Sequence, residues 1–401
     1  MSQATLTLSR LPTELWYHSF TFLNKNDLRH LCLVSKDFLP EGRRLLYRDV
    51  ALKGSIGMML WTEMILSSDV HPPLVRSVTL PTRANLTGYY IRALTRCLSM
   101  LPRLTALNIK HAMTVDSTNA YLVPEMLEGC SSCLVAFHHD LADIGLNHSL
   151  FSPSGFYSTH AGIERLYLAN TRIQDFLPAH LEEKIPPNIL PRLLTLHIEN
   201  LEILRAFRAK PIRRLRISET VFLTPSDIEK LGLILDSFRN TLSSLCIKFS
   251  SPISPSEETS TLAEVMEMLV MCAPKLSHLY IFGDVPELIS GMHSDAPRFS
   301  SSLRALSNLT CLVFGISRLH RQHACLSTDS VLPETLVDHL FMWSDKLQEV
   351  TIGCFSPVKA SSSSLFGRNS ASFVRSSAGG VDRVSLCQVD CTLTEDAWAT
   401  A

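Results

Sequence analysis

A repeated spacing of apolar residues constrains the fold of this chain more than any other feature. In each instance an apolar residue is followed by a second three positions later and by a third two positions further on, except that His139 replaces the third apolar residue of the instance at Leu134. Because side chains alternate along a strand, the second and third residues share one face, so each instance predicts a short strand with one buried side. The instances begin at Val75, Leu104, Leu134, Ile163, Leu193, Ile212, Leu242, Leu276, Leu309, Leu347 and Val381.

Amphipathic helical patterns lie between several of these predicted strands. One runs from Thr87 to Leu101, and another follows Ser226 and Glu229, whose spacing is typical of a capping box. Strands and helices that alternate about every thirty residues predict an α/β solenoid over 75–390. The alternative interpretation is an ordinary α/β domain with short parallel strands.

Three segments depart from this regular spacing. The interval from Leu193 to Ile212 is 212 − 193 = 19 residues, which is too short for a full helical return and predicts a tight loop. Residues 284–302 have the composition of a loop. Residues 356–380 are rich in serine and glycine, so we expect a mobile loop there.

The first fifty residues follow a different pattern, with three short amphipathic helices predicted in succession over residues 11–50. Pro12 suits the first turn of a helix, and Asn26 or Asp27 can cap the second helix. A segment of about forty residues seldom folds without a metal, disulfides or a partner. Since no set of metal ligands is present in this segment, the pattern indicates support by another protein.

This segment resembles the F-box, the adaptor-binding module of SCF-type ubiquitin ligases, over about a tenth of the chain. The opening Leu-Pro, the central Val-Ser-Lys and the closing Leu-Leu-Tyr stand in the order and spacing of that family. Phe20 is a departure, since the family usually carries an aliphatic residue there. The resemblance implies an F-box at 8–50 that binds a Skp-type adaptor, with a connecting helix at 51–74. The implied contact residues are Leu11, Pro12, Glu14, Leu15, Phe20, Leu23, Leu28, Leu31, Val34, Ser35, Phe38, Leu45 and Tyr47.

The rest of the chain resembles the degenerate leucine-rich repeats that commonly follow an F-box. The resemblance is one of architecture, because the usual repeat asparagine is largely missing. The expected fold class is therefore α/β, with a small three-helix F-box followed by an irregular leucine-rich-repeat-like solenoid.

Composition and charge narrow the classes of partner. The chain has 37 basic and 38 acidic residues, a formal net charge of −1, so nothing indicates nucleic acid or an anionic membrane as a partner. We find neither a secretory leader nor an apolar run long enough to span a membrane. Eleven cysteines without framework spacing favour reduced thiols in the cytoplasm or nucleus.

The sequence offers no arrangement of residues typical of catalysis or of a cofactor. Nucleotide-binding glycine motifs, the nucleophile elbow and the zinc-protease motif are absent from it. Cys130 and Cys133 form a C-x-x-C, but a second ligand pair at zinc spacing is lacking, so structural cysteines are the favoured interpretation. His320 and His323 have no third ligand nearby. We therefore expect a non-enzymatic chain with no cofactor and no metal site.

The predicted strands also define a candidate binding surface. Residues on either side of the buried central leucine should line the exposed, concave face of the repeats. Their cationic and aromatic character favours a protein substrate that is acidic or phosphorylated. The candidate substrate-binding residues are Arg165, Tyr167, His197, Arg214, Arg216, Lys248, His278 and Tyr280.

The resemblance to F-box proteins implies the substrate-recognition subunit of an SCF-type, cullin–RING ubiquitin ligase. Such a subunit links the adaptor to a protein substrate and carries out no chemistry itself. A non-catalytic scaffold that binds the adaptor without directing ubiquitination is the alternative. An enzyme on an α/β fold is a third hypothesis, which the missing catalytic motifs disfavour.

Overall fold

The computed structural model describes residues 12–80, 88–109, 126–127, 129–130, 133–139, 155–168, 185–250, 259–283, 295–317, 334–355, 371–375 and 381–385. The chain divides into two compact units, Met1–Ile163 and Glu164–Ala401. Among the helices of the described ranges, none has the length and apolar character needed to cross a bilayer.

Three helices open the first unit, where the sequence predicts them. They are α1 (Thr13–Phe20), α2 (Lys25–Val34) and α3 (Leu39–Arg48). The second helix is capped by Asn24, whose side chain accepts hydrogen bonds from the backbone amides of Asn26 and Asp27, so the predicted cap at Asn26 or Asp27 is wrong. An aromatic cluster packs inside this segment, and the rings of Phe20 and Phe38 meet edge to face with centroids 5.3 Å apart.

Within the described ranges, the first unit continues with four parallel strands and the helices between them. Its elements are β1 (Asp49–Ala51), α4 (Gly54–Leu66), a 3₁₀ turn (Pro72–Leu74), β2 (Ser77–Leu80), α5 (Gly88–Ser99), β3 (Ala106–Ile109), β4 (Ala136–His139) and α6 (Phe156–Thr159). Pairing follows chain order from β1 to β4. The apolar spacing does not predict strand β1 or its pairing with β2.

The second unit repeats the same strand-and-helix arrangement. Its strands are β5 (Arg165–Leu168), β6 (Thr195–Ile198), β7 (Arg214–Phe222), β8 (Ser244–Ser250), β9 (His278–Gly283), β10 (Cys311–Ser317), β11 (Glu349–Phe355), β12 (Ala371–Arg375) and β13 (Val381–Ser385). Its helices are α7 (Leu201–Leu204), α8 (Pro225–Leu235), α9 (Leu262–Cys272), α10 (Ala296–Ala305) and α11 (Glu334–Trp343). Short 3₁₀ turns follow α7 and α8 at Arg205–Phe207 and Asp236–Phe238.

A row of buried apolar side chains runs across the parallel strands β5 to β11. These central residues of the repeated spacing pair strand to strand in register. Every member is almost completely buried, so the row forms the core between the sheet and the helices. The fold class predicted from the sequence, α/β with leucine-rich-repeat-like units, is confirmed. The members are Leu166, Leu196, Leu215, Leu245, Leu279, Leu312 and Val350.

The helix caps differ in part from the sequence prediction. Helix α8 is capped by Thr224, whose hydroxyl accepts from the amide of Asp227, so the predicted cap at Ser226 is wrong. The reason is Pro225, which lacks an N–H and fits the first helical position after Thr224. Helix α9 has a full capping box formed by Thr261 and Glu264.

Three segments predicted as loops contain regular structure. The tight loop predicted between Leu193 and Ile212 contains α7 and the 3₁₀ turn Arg205–Phe207. Helix α10 lies across the end of the predicted loop 284–302, where Phe299 and Leu303, four residues apart, are buried on one helix face. Strand β12 lies inside the predicted Ser-rich loop 356–380 and pairs antiparallel with both β11 and β13. Residues 284–294, 356–370 and 376–380 lie outside the described ranges.

Candidate functional site

The N-terminal helices expose several of the residues that the resemblance assigns to adaptor binding. Pro12, Glu14, Leu15 and Val34 are exposed. Leu11 lies outside the described residues. The half-buried members of the set are Leu23, Leu31, Ser35, Phe38, Leu45 and Tyr47.

Phe20 and Leu28 do not belong to this exposed surface. Both are buried, and the ring of Phe20 packs against Trp16 and Phe38. Their assignment as contact residues is therefore corrected, since they form the interior of the three-helix segment. Helical periodicity alone could not separate a residue that faces this small interior from one that faces outward.

Three further apolar side chains in the same segment are exposed and were not in the predicted set. They are Tyr17, Phe22 and Leu33. Leu33 is 84% exposed and its neighbour Val34 is 73% exposed, both in the last turn of α2. The sequence carried a signal for Leu33, because at about 100° per residue it lies on the side of the helix opposite the stripe formed by Leu28 and Leu31.

The second unit presents a polar sheet face, which we define by two rows of side chains on strands β5 to β11. Residues of each row lie side by side on neighbouring strands, which are about 4.8 Å apart. The first row is Arg165, Thr195, Arg214, Ser244, His278, Cys311 and Glu349. The second row is Tyr167, His197, Arg216, Cys246, Tyr280, Val313 and Thr351.

The two rows bring most of the predicted substrate-binding residues together. Arg165 is exposed, and Tyr167, Arg214, Arg216 and His278 are half-buried. Arg214 and Arg216 lie two residues apart on one strand, so both point to the same face about 7 Å apart along the strand. The sheet therefore places three arginines on one face of β5 and β7.

His197 and Tyr280 depart from the predicted exposed face. Each is only 5% exposed, so the expectation that they line an open surface is wrong for these two residues. The ring of Tyr167 packs edge to face on His197 with centroids 3.9 Å apart, and the Nε2 atom of His197 lies 2.5 Å from Ser218 Oγ. Their neighbours on the sheet cover them.

Lys248 lies apart from the two rows. The register between β7 and β8 shifts after Ile217, and Lys248 pairs with Thr220. Ser218 and Glu219 form the resulting bulge, and Glu219 accepts a hydrogen bond of 2.6 Å from the amide of Leu201. Lys248 is nevertheless on the same face of β8 as Ser244 and Cys246, two residues beyond the second row, and the bulge in β7 places Thr220 beside it.

The electrostatics of the polar sheet face follow from burial and from these charges. Burial and the nearby charge of Arg214 lower the pKa of His278, and Glu349 opposes this shift. Burial raises the pKa of Cys246 to about 11, although Arg216 favours its thiolate. His278 is therefore a weak base here, and the arginines carry the positive charge of this face.

The two cysteines of the C-x-x-C pair differ in their exposure. Cys130 is buried and Cys133 is exposed. Within the described ranges no group of three or more His, Cys, Asp or Glu side chains could hold an ion. His320 and His323 lie outside those ranges.

Solved structures of known proteins show distant similarity to this chain. No protein-family model and no curated protein match the sequence. The crystal structure of the leucine-rich repeat-containing protein LegL7 from Legionella pneumophila aligns at 14% identity over 77% of this chain and 91% of that chain, with a TM-score of 0.43. The crystal structure of the Rad7 and Elc1 complex in yeast aligns at 13% identity over 82% of this chain and 76% of that chain, with a TM-score of 0.41. The leucine-rich-repeat-like assignment rests on the strand registers and the buried apolar row described above.

Proposed function

We propose that this chain is the substrate-recognition subunit of an SCF-type, cullin–RING ubiquitin ligase, and that residues 8–50 bind a Skp-type adaptor. The observation that carries the proposal is the exposure of Leu33 and Val34 at the end of α2. Fully burying an aliphatic side chain of this size stabilises a complex by about 1.5–3 kcal/mol, so such a pair favours a protein partner.

In this proposal the chain carries out no chemistry and needs no cofactor. The second unit holds a protein substrate through the polar sheet face, in the cytoplasm or the nucleus. A ubiquitin-charged enzyme brought by the cullin–RING part then meets a substrate lysine at high effective concentration. A second candidate function is a scaffold that binds the adaptor without directing ubiquitination, which the same N-terminal surface would serve.

Affinity purification of the full-length chain, followed by mass spectrometry, tests the proposal. The variant combines Leu33→Lys with Val34→Lys, because lysine suits the last turn of a helix and leaves α2 intact. The matched control is Leu233→Lys, since Leu233 is a similarly exposed leucine on α8 at 67% exposure. Truncation of interface anchors costs more than about 1 kcal/mol each, so we expect adaptor recovery to fall at least about tenfold in the double variant.

The proteins recovered with the unaltered chain separate the candidate functions. Adaptor together with cullin supports the ligase subunit, and adaptor without cullin supports the scaffold. Recovery of neither protein, or full adaptor recovery by the double variant, would overturn the proposed docking surface.

A further inference from the structure

We propose that Arg214, Arg216 and Ser244 form a binding site for an oxyanion, a phosphate or carboxylate group carried on a side chain of the bound protein. Only the source of the anion, a bound protein, rests on the proposed function. The site itself rests on the geometry of β7 and β8.

Two buried polar atoms of this site lack a hydrogen-bond partner. Ser244 is 1% exposed, and its Oγ has no partner among the described residues. The Nη1 atom of Arg216 is likewise buried without a partner there. Buried polar atoms in folded proteins are almost always hydrogen-bonded, so two such atoms on neighbouring strands indicate a missing acceptor.

The strand register places these atoms within reach of one small group. Arg214 pairs with Ser244 and Arg216 pairs with Cys246, so Ser244 is the diagonal neighbour of Arg216 on the same face. Diagonal neighbours are about 7–8 Å apart at their Cα atoms, a span that a long arginine side chain crosses. Ser244 has a short side chain, and it stands between Arg214 and His278 in the first row.

The charges of the polar sheet face select an anion with several oxygens. Its two rows contain three arginines and one carboxylate, Glu349, which lies two strands beyond His278. A guanidinium group donates two parallel hydrogen bonds to a carboxylate or phosphate, and a serine hydroxyl can donate a third. The unpartnered nitrogen of Arg216 is a donor only, so an acceptor group is what the site lacks.

Thermal unfolding of the full chain in sodium phosphate, sodium acetate and sodium chloride at equal ionic strength tests the site. We expect phosphate or acetate to raise the unfolding midpoint by about 2 °C over chloride. Ser244→Ala and Arg216→Met should each abolish at least half of that shift. In chloride, Ser244→Ala should unfold at or above the midpoint of the unaltered chain, because its hydroxyl bonds nothing.

The control is Arg208→Met, which removes an exposed arginine from the segment after the 3₁₀ turn and should keep the whole shift. If Arg216→Met does not fold, Arg216→Lys is used instead. Lysine keeps the charge but cannot donate two parallel hydrogen bonds, so this variant should still reduce the shift. A shift with phosphate alone identifies a phosphorylated side chain as the source, and an equal shift with acetate identifies an acidic residue. No shift with either anion, or a shift that Ser244→Ala and the Arg216 variant both retain, overturns the proposal.

Peptide libraries relate this site to the proposed function. Three pools differ only in a central phosphoserine, glutamate or serine. If phosphate alone shifts the midpoint, the phosphoserine pool should bind the full chain best, and if acetate shifts it equally, the glutamate pool should bind as well; the serine pool should bind least. These differences should disappear in Ser244→Ala. Adaptor recovery should be unchanged in that variant. If the unaltered chain recovers the adaptor but shows no anion effect, the oxyanion site alone is refuted. If the unaltered chain shows the anion effect but recovers no adaptor, only the ligase function is refuted.

Discussion

Lys210 donates a hydrogen bond of 2.7 Å from its Nζ atom to the carbonyl oxygen of Pro186, which lies 24 residues earlier in the chain. The same ammonium group also donates to the carbonyl oxygen of Ile189. Lys210 is buried, and burial lowers its pKa from 10.5 to about 8. A single side chain thus ties the segment before β6 to the segment before β7.

This lysine should make stability depend on pH. Between about pH 8 and 10.5 the unfolded chain keeps a proton on Lys210 that the folded chain has released, so the free energy of unfolding should rise with pH in that window. Urea unfolding of the unaltered chain and of Lys210→Met across this range isolates the effect, since other titrating groups are common to both. A difference between the two proteins that is flat or falls with pH would contradict the prediction.

Glycine at position 283 should be required by close packing in the sheet. A Cβ atom there would collide with the carbonyl oxygen of Phe249 on β8, and a backbone atom cannot move aside cheaply. Gly283→Ala should therefore destabilise the protein by about 1–3 kcal/mol.

Gly57 in α4 supplies the matched control for that substitution. A Cβ atom at Gly57 meets nothing within 4 Å, so Gly57→Ala should stabilise the helix by about 0.5–1 kcal/mol. Chemical denaturation measures both changes, and equal effects of the two substitutions would show that the collision at position 283 is relieved.

Cysteine reactivity should separate Cys133 from the buried thiols. Cys133 is exposed, whereas burial raises the pKa of Cys97 to about 11 and that of Cys272 and Cys311 to about 12. The thiolate is the reactive form, so brief alkylation with iodoacetamide at neutral pH should modify Cys133 well before these three.

Mass spectrometry of digested protein measures the labelling at each site. Urea-unfolded protein is the control, because the differences between sites should then largely vanish. Native-state labelling of Cys311 at the rate of Cys133 would show that β10 opens readily.

The repeated apolar spacing predicted the strands of the second unit well because each strand buries one face against the helices. Leu215 and Leu245 show why, since each central leucine needs an apolar neighbour on the next strand. Strand β12 and helix α10 escaped prediction because serine-rich composition resembles that of a loop. In α10 only the burial of Phe299 and Leu303 shows that the segment packs as a helix.

The sequence could predict on which side of the sheet each residue of the candidate site lies. It could not predict which of these residues are buried by their neighbours. Alternation placed Arg214, Arg216 and Tyr280 on one side of the sheet, as the strand registers show. It could not show that Tyr280 is covered, because coverage depends on side chains of the neighbouring strands β8 and β10. The unpartnered hydroxyl of Ser244 has no sequence signal.

The bulge at Ser218 and Glu219 has a consequence for how this chain tolerates changes in length. Because the side-chain alternation of a strand has a period of two, an insertion of two residues leaves the parity of everything downstream intact. Val221 therefore stays buried beside Phe249, its partner on β8. A one-residue insertion at the same place would turn Val221 toward solvent. Such a strand therefore tolerates insertions or deletions of two residues better than those of one.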